Sequence, residues 1–195
     1  MAKTVHPAVS AIILAGGEGR RMGGEDKGWL DLNGVPLIRH VIDRVRPQVS
    51  DIVISANRNL QRYHSLPFPI IQDSTPYLGP LGGIAACLKH ITTEYALIIP
   101  TDAPLVPQDL VTQLYNHAPA PLVLCRDSER LQPLFGLYHR SLADSIDQFL
   151  LRGERKLGLW CKQHHPLIVT IGDNQVFTNL NSPEDIAKFE KNCHN

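Results

Sequence analysis

At 195 residues, 43% of them hydrophobic and 19% charged, the chain has the length and apolar content for one substantial core, and a single domain over 1–195 is the expectation. Lysine plus arginine and aspartate plus glutamate stand at 19 each, so the formal net charge is zero. That balance excludes bulk attraction to nucleic acid or to an anionic membrane, and any anion site has to be a local arrangement. Cys87, Cys125, Cys161 and Cys193 are far apart and form no CxxC pair, which implies neither a thiolate zinc site nor a disulfide framework. The opening residues lack the apolar core of a signal peptide, and no run approaches the roughly 18 apolar residues of a membrane span. A cytoplasmic location with no membrane partner is expected.

In chain order, the apolar run Val9 to Ala15 predicts a buried first strand. It empties into a segment with five glycines before Gly28, together with Arg20, Arg21 and Lys27. Glycine lets backbone N–H groups approach an anion closely, and successive N–H groups form an anion-binding concavity. Two familiar Gly-rich patterns do not fit. A P-loop needs Ser or Thr after its lysine, where Gly28 stands, and the third glycine of a dinucleotide fingerprint falls on Met22. The segment therefore reads as a triphosphate cradle of another kind.

Asn33-Gly34 predicts a tight turn, and Pro36 the first position of a helix whose apolar face is Leu37, Ile38, Val41, Ile42 and Val45. Asp51 to Ala56 predicts a second strand and Pro69 to Gln72 a short third, ending at Asp73. Gly79-Pro80-Leu81-Gly82-Gly83 opens onto a helical pattern through Ile84, Ala85, Leu88 and Ile91, and a helix start rich in glycine leaves N–H groups open to a ligand. Tyr95 to Pro100 is the most strand-like run, ending at Thr101-Asp102, and Pro107 predicts the start of a further helix carrying Leu110, Val111 and Leu114. This alternation predicts an α/β fold with a mainly parallel central sheet and helices on both faces. Ligands of such sheets bind outside the carboxyl ends of the strands, and Gly16, Ser55, Asp73 and Asp102 each follow a predicted strand.

Beyond that point, Leu122 to Cys125 and Pro133 to Tyr138 predict strands flanking a polar turn. Ser141 with Asp144 resembles a capping box for a helix with Leu142, Ile146, Phe149 and Leu150 inward. Arg152 to Lys156 is a basic cluster that suits either a solvated helix start or an anionic substrate. Ser182 and Pro183 predict the cap and first residue of the last helix.

A triphosphate requires a divalent cation, and Mg²⁺ takes one or two carboxylates plus phosphates and waters. Asp102 is the first ligand candidate, with capping of the next helix as its other possible role. Asp73 divides between ligand contact and an Asx turn. Lys27 is either the cation for charge developing at the reacting phosphate or a solvated loop lysine. No Ser-His-Asp or Cys-His arrangement stands out, which leaves chemistry by positioning and electrostatics.

The run from Leu14 to Lys27, with Leu14-Ala15-Gly16-Gly17 and Arg21-Met22-Gly23, resembles the signature loop of single-domain nucleotidyltransferases with a Rossmann-like fold. The chain is most similar to the molybdenum cofactor guanylyltransferases. Leu30 to Leu37, Ser55-Ala56-Asn57-Arg58, Asp73, Gly79 to Gly83, Thr101 to Pro104 and Asn179 to Glu184 carry the resemblance in the same order over nearly the whole chain. It implies a three-layer nucleotidyltransferase fold and transfer of GMP from GTP, with Mg²⁺, to the terminal phosphate of molybdenum-molybdopterin, releasing pyrophosphate. By the same resemblance Leu14, Ala15, Gly16 and Gly17 hold the nucleotide, Lys27 meets its phosphates, Asp73 contacts the nucleotide and Asp102 binds Mg²⁺. Ser55 stands where several relatives carry Asn, and Asn179 and Asn181 match a late motif on the pterin side. Partners implied are GTP, molybdenum-molybdopterin, and the proteins that supply the cofactor or mature molybdoenzymes. Rival readings are a cytidylyltransferase for the same pterin, a sugar-1-phosphate nucleotidyltransferase, and a GTP-binding delivery protein without turnover.

Overall fold

The computed structural model describes residues 8–15, 26–73, 75, 78–172 and 174–193. Most of the cradle, including Gly16, Gly17 and Gly19 to Gly24, lies outside the described residues. Strand β1 (Val9–Leu14) is followed by a 3₁₀ turn (Lys27–Trp29) and a hairpin of β2 (Asp31–Leu32) and β3 (Val35–Pro36). Then come α1 (Leu37–Val45), β4 (Asp51–Ser55), α2 (Leu60–Tyr63), β5 (Ile70–Ile71), α3 (Pro80–His90) and β6 (Tyr95–Pro100). The remainder is α4 (Leu110–Tyr115), β7 (Leu122–Arg126), β8 (Leu131–His139), α5 (Leu142–Leu151), α6 (Leu157–Gln163), β9 (Leu167–Thr170) and α7 (Pro183–Cys193).

Seven strands form one sheet in the order β5-β4-β1-β6-β8-β7-β9. Only β8 runs against its neighbours; the other pairings are parallel. The central strands β1, β4 and β6 are mostly apolar because both of their faces are covered, as a parallel sheet requires. Period-two alternation sorts their side chains. Ile13, Ile54, Leu97, Ile99 and Val123 meet α1 and α4, while Ile12, Val53, Ile98 and Leu124 meet α3, α5 and α6. Ser10 is the polar exception within β1, buried at 1% exposure and satisfied by Thr93 Oγ1 at 2.8 Å. Helix α7 closes a smaller cluster of Leu32, Leu37, Leu180 and Ile186 beside the hairpin. The α/β architecture with a mainly parallel sheet is as expected, and no helix among the described residues is long and apolar enough to cross a membrane.

Several local expectations hold. Asn33 (φ 52°) and Gly34 (φ 77°) both take the left-handed region that a two-residue hairpin turn demands. Ser182 Oγ accepts the Asp185 N–H at 3.1 Å, capping α7. Others shift. Pro36 does not open α1; with ψ of 140° it remains in β3 opposite Asp31, and the helix starts at Leu37. Helix α4 starts at Leu110 rather than Pro107, because Gln48 does the capping. The Gln48 Oε1 accepts the Val111 N–H at 3.0 Å and its amide donates to the Pro107 carbonyl at 2.8 Å. Ser141 precedes α5 without capping it, since its hydroxyl is hydrogen-bonded to His139 Nδ1 at 2.7 Å. Helix α6 and strand β9 are elements that the sequence pattern did not announce.

At the reversal the register slips between Leu124 and Cys125, and Gly136 sits opposite both Ile98 and Leu124. A Cβ at Gly136 would stand 2.6 Å from Leu124 Cδ2 and 2.7 Å from the Val123 carbonyl oxygen. Glycine here permits backbone approach at an irregularity in the sheet. Gly136→Ala is accordingly expected to destabilise the fold by roughly 1–3 kcal/mol, the range for overpacking a core. Urea unfolding measures this, and an unchanged midpoint would contradict the packing.

Candidate active site

The chain leaves β1 through α1 toward β4 and β5, then returns across α3 to β6 on the other side of β1. Such a change of direction opens a crevice at the carboxyl ends of the two strands flanking it, here β1 and β6. Leu14 and Ala15 end one strand, and Thr101 and Asp102 follow the other. The junction is tight: the Thr101 N–H donates to the Leu14 carbonyl at 3.1 Å, and the Ala15 N–H to the Ser55 carbonyl at 2.8 Å.

Asp102 is 7% exposed, and its Oδ2 receives Lys27 Nζ at 3.3 Å although the two are 75 positions apart. Lys27 Nζ also donates to Asn181 Oδ1. The late segment is docked on the same carboxylate residue, since the Leu180 N–H donates to the Asp102 carbonyl at 3.0 Å. Asn181 is fixed in turn, its N–H on Asp185 Oδ2 and its amide on the Asn179 carbonyl, each at 3.0 Å. Lys27, Asp102 and Asn181 thus form one cluster. Burial pushes the Asp102 carboxyl above the ordinary aspartate range, and the neighbouring Lys27 charge opposes that rise.

A second cluster lies across β1, above β4. Ser55, 3% exposed, closes β4, and Asp73 follows β5 with its N–H on Asn57 Oδ1 at 2.8 Å. The start of α3 presses on both side chains. A Cβ on Gly83 would stand 2.2 Å from Ser55 Oγ, and one on Gly82 would stand 2.9 Å from Asp73 Oδ2. Burial also raises the Asp73 carboxyl, with Asn57 opposing. The Cys87 thiol, pushed up to about 12 by burial and then by the Asp73 charge, carries no thiolate at neutral pH. With β4 and β1 between β5 and β6, Asp73 and Asp102 stand on either side of the β1 terminus.

Among the described residues, one oxygen of each carboxylate, Asp73 Oδ1 and Asp102 Oδ1, is buried with no hydrogen-bond partner. A buried polar atom without a partner is costly, and a hard cation is one group that would satisfy a carboxylate oxygen. The donor set at Asp102 fits Mg²⁺, which binds through one or two carboxylates and takes its other ligands from phosphates and water. Of the predicted site residues, the structure unites Lys27 with Asp102, and Ser55 with Asp73; it sets Leu14 and Ala15 between the pairs and leaves Gly16 and Gly17 undescribed. The basic run Arg152–Lys156 is exposed, and Arg155 Nη1 is spent on the Leu150 carbonyl at 2.7 Å. Asp26 and Tyr63 were not anticipated. An aspartate just before Lys27 is a turn-capping signal in its own right, whereas nothing in the sequence ties Tyr63 to this place.

The raised Asp102 carboxyl has a consequence for stability. The folded state holds its proton to higher pH than the unfolded chain, so stability falls as pH rises through that window, and the penalty is complete above the folded value. Asp102→Asn removes the penalty. Its melting temperature should match the parent at about pH 4 and exceed it at about pH 8; a variant less stable than the parent at the higher pH would contradict the assignment.

Known proteins resemble this chain in sequence and in fold. A family model described as "MobA-like NTP transferase domain" matches residues 11–167. A molybdenum cofactor guanylyltransferase from Shewanella sp. (strain MR-4) is 42% identical over 181 residues, covering 90% of this chain and 92% of that protein. One from Yersinia pestis (strain Pestoides F) is 43% identical over 190 residues, covering 96% and 97%. Among solved structures, molybdopterin-guanine dinucleotide biosynthesis protein A from Archaeoglobus fulgidus superposes with a TM-score of 0.78 at 24% identity, covering 95% of this chain and 99% of that one. The chain belongs to the MobA-like NTP transferase family.

Proposed function

We propose that the protein transfers GMP from GTP to the terminal phosphate of molybdenum-molybdopterin, giving the guanine dinucleotide cofactor and pyrophosphate. The observation that carries the reading is the meeting of Lys27, Asp102 and Asn181 at the carboxyl ends of β1 and β6. The names of relatives more than 40% identical over nearly the whole chain supply the two substrates. A cytoplasmic location belongs to the same proposal.

The nucleotide lies across the end of β1, against Leu14 and Ala15, with Gly16 and Gly17 contributing from outside the described residues. Ser55 and Asp73 flank it on the α3 side. A phosphate oxygen of the pterin attacks the α-phosphorus of GTP in line; that P–O bond forms as the bond to the β-phosphate oxygen breaks, and the electron pair departs with pyrophosphate. A phosphate monoester is largely ionised at neutral pH, its second pKa being about 6, so no general base is called for. Lys27 Nζ stabilises charge as it shifts onto the leaving oxygens. Asn181 is a second acceptor for that ammonium beside Asp102. Asp102 would hold a Mg²⁺ ion, whose chemistry when bound is to neutralise phosphate oxygens. Catalysis is thereby positional and electrostatic, as in other phosphoryl transfers.

With molybdenum-molybdopterin and Mg²⁺ present, pyrophosphate release is expected with GTP and not with CTP, ATP or UTP; preference for CTP, or turnover on a sugar 1-phosphate instead of the pterin, would replace this reading. Lys27→Ala should lower kcat on the order of 100- to 1000-fold, as for removal of a group aimed at transition-state charge. A loss of only a few-fold would return Lys27 to the solvated loop. Asp102→Asn should remain folded and lose Mg²⁺-stimulated turnover, and activity near the parent's would remove Asp102 from the metal site.

A further inference from the structure

Asp26 and Tyr63 have no part in the steps above, yet they hold the turn on which Lys27 rides. Asp26 directs its carboxylate back into the fold. Its Oδ1 accepts the Tyr63 hydroxyl at 2.6 Å and the Gly28 N–H at 3.2 Å, and its Oδ2 accepts the Asn59 amide at 3.1 Å. Tyr63 is wholly buried at 0% exposure. Burial, then the Asp26 charge, drives its phenol far above the ordinary tyrosine value, so the hydroxyl stays a donor at any working pH.

The turn is also clamped from the strand side. A Cβ on Gly28 would stand 2.8 Å from the Tyr63 hydroxyl and 2.8 Å from Thr101 Oγ1. Thr101 is the residue before Asp102, so the turn is pressed between the Tyr63 hydroxyl and the segment that bears the site carboxylate. Trp29 packs its ring 5.4 Å from that of Tyr63, and the Arg62 guanidinium covers Trp29 at 4.5 Å. The three-residue turn is thus held from both sides, and Lys27 is its first residue.

We infer that Asp26 and Tyr63 are positioning residues for Lys27, their hydrogen bond fixing the turn so that Nζ stands between Asp102 and Asn181. Its kinetic form rests on the function proposed above, because it takes Lys27 as the group that meets the developing charge. The Asp26 carboxylate next to that lysine is engaged by three neutral donors on the fold side, and among the described residues Asp102 is the anion that Lys27 pairs with.

The test is a double-mutant cycle with Tyr63→Phe, which removes one hydroxyl, and Lys27→Ala. Misplacement of a catalytic group by about 1 Å can cost on the order of 100-fold, so Tyr63→Phe alone should lower kcat by 10- to 100-fold, with KM for GTP within about threefold of the parent. In the Lys27→Ala background the same change should alter kcat by less than about twofold, because the lysine through which it acts is gone. Equal losses in both backgrounds, or a loss confined to KM, overturn the inference. Asp26→Asn takes the place of Tyr63→Phe in the cycle if the latter does not fold. A crystal structure of the variant decides independently of turnover. Lys27 Nζ displaced from Asp102 supports the inference, and Nζ still within hydrogen-bonding distance overturns it. If the parent protein shows no turnover of GTP, the proposed function fails, and the crystal structure alone judges the positioning role.

Discussion

Coverage of β1 on both faces is the constraint on which the rest depends. Val9, Ala11, Ile12 and Ile13 are at most 1% exposed, and the strand's backbone groups are taken up by β4 on one side and β6 on the other. A strand so enclosed has no position along its length for a working polar side chain, and Ser10 is admitted only with a partner of its own. Chemistry is displaced to the strand ends. The chain order then selects which end: the first connections build outward from β1 toward β5, the return over α3 builds the other side, and the carboxyl ends of β1 and β6 border the crevice between the two directions.

Within that crevice, a protein of zero net charge concentrates its electrostatics in a few groups. Asp102 lies on the buried side and Lys27 on the open side, with side-chain exposures of 10% and 31%. Removing a carboxylate from water costs more than one partly solvated ammonium returns, and the net upward displacement of the Asp102 carboxyl expresses that deficit. Retention of unfavourable charge at a site is the ordinary form of conflict between stability and activity.

Much of this was legible in the sequence where the signal is local. Tyr95–Pro100 is marked by uninterrupted apolarity, Val9–Leu14 by an apolar run broken only at Ser10, and Asn33-Gly34 by backbone preference. Asp102 stood out by position, at the end of the most apolar run. What was illegible is tertiary. The Tyr63 hydroxyl reaches Asp26 across 37 positions and Asn181 reaches Lys27 across 154, and no pattern in either stretch encodes the meeting. The local rules that failed were overruled from a distance in the same way: Gln48 caps α4 from another part of the chain, and His139 takes the hydroxyl that a capping box would have used. Strand β9 escaped notice because only one edge of it is paired and its side chains are largely open to solvent, so its residues show no alternation.

The contact between α3 and β4 has an evolutionary consequence. Because the missing Cβ of Gly83 is what makes room for the Ser55 hydroxyl, with 2.2 Å between the two, positions 55 and 83 share one small volume. With Ser at 55, a side chain at 83 requires the Ser55 hydroxyl to move, and a larger residue at 55 leaves still less room for one. Neutral drift at either position is conditional on the state of the other. The two sites are thus coupled by volume, and what one tolerates depends on which side chain the other carries.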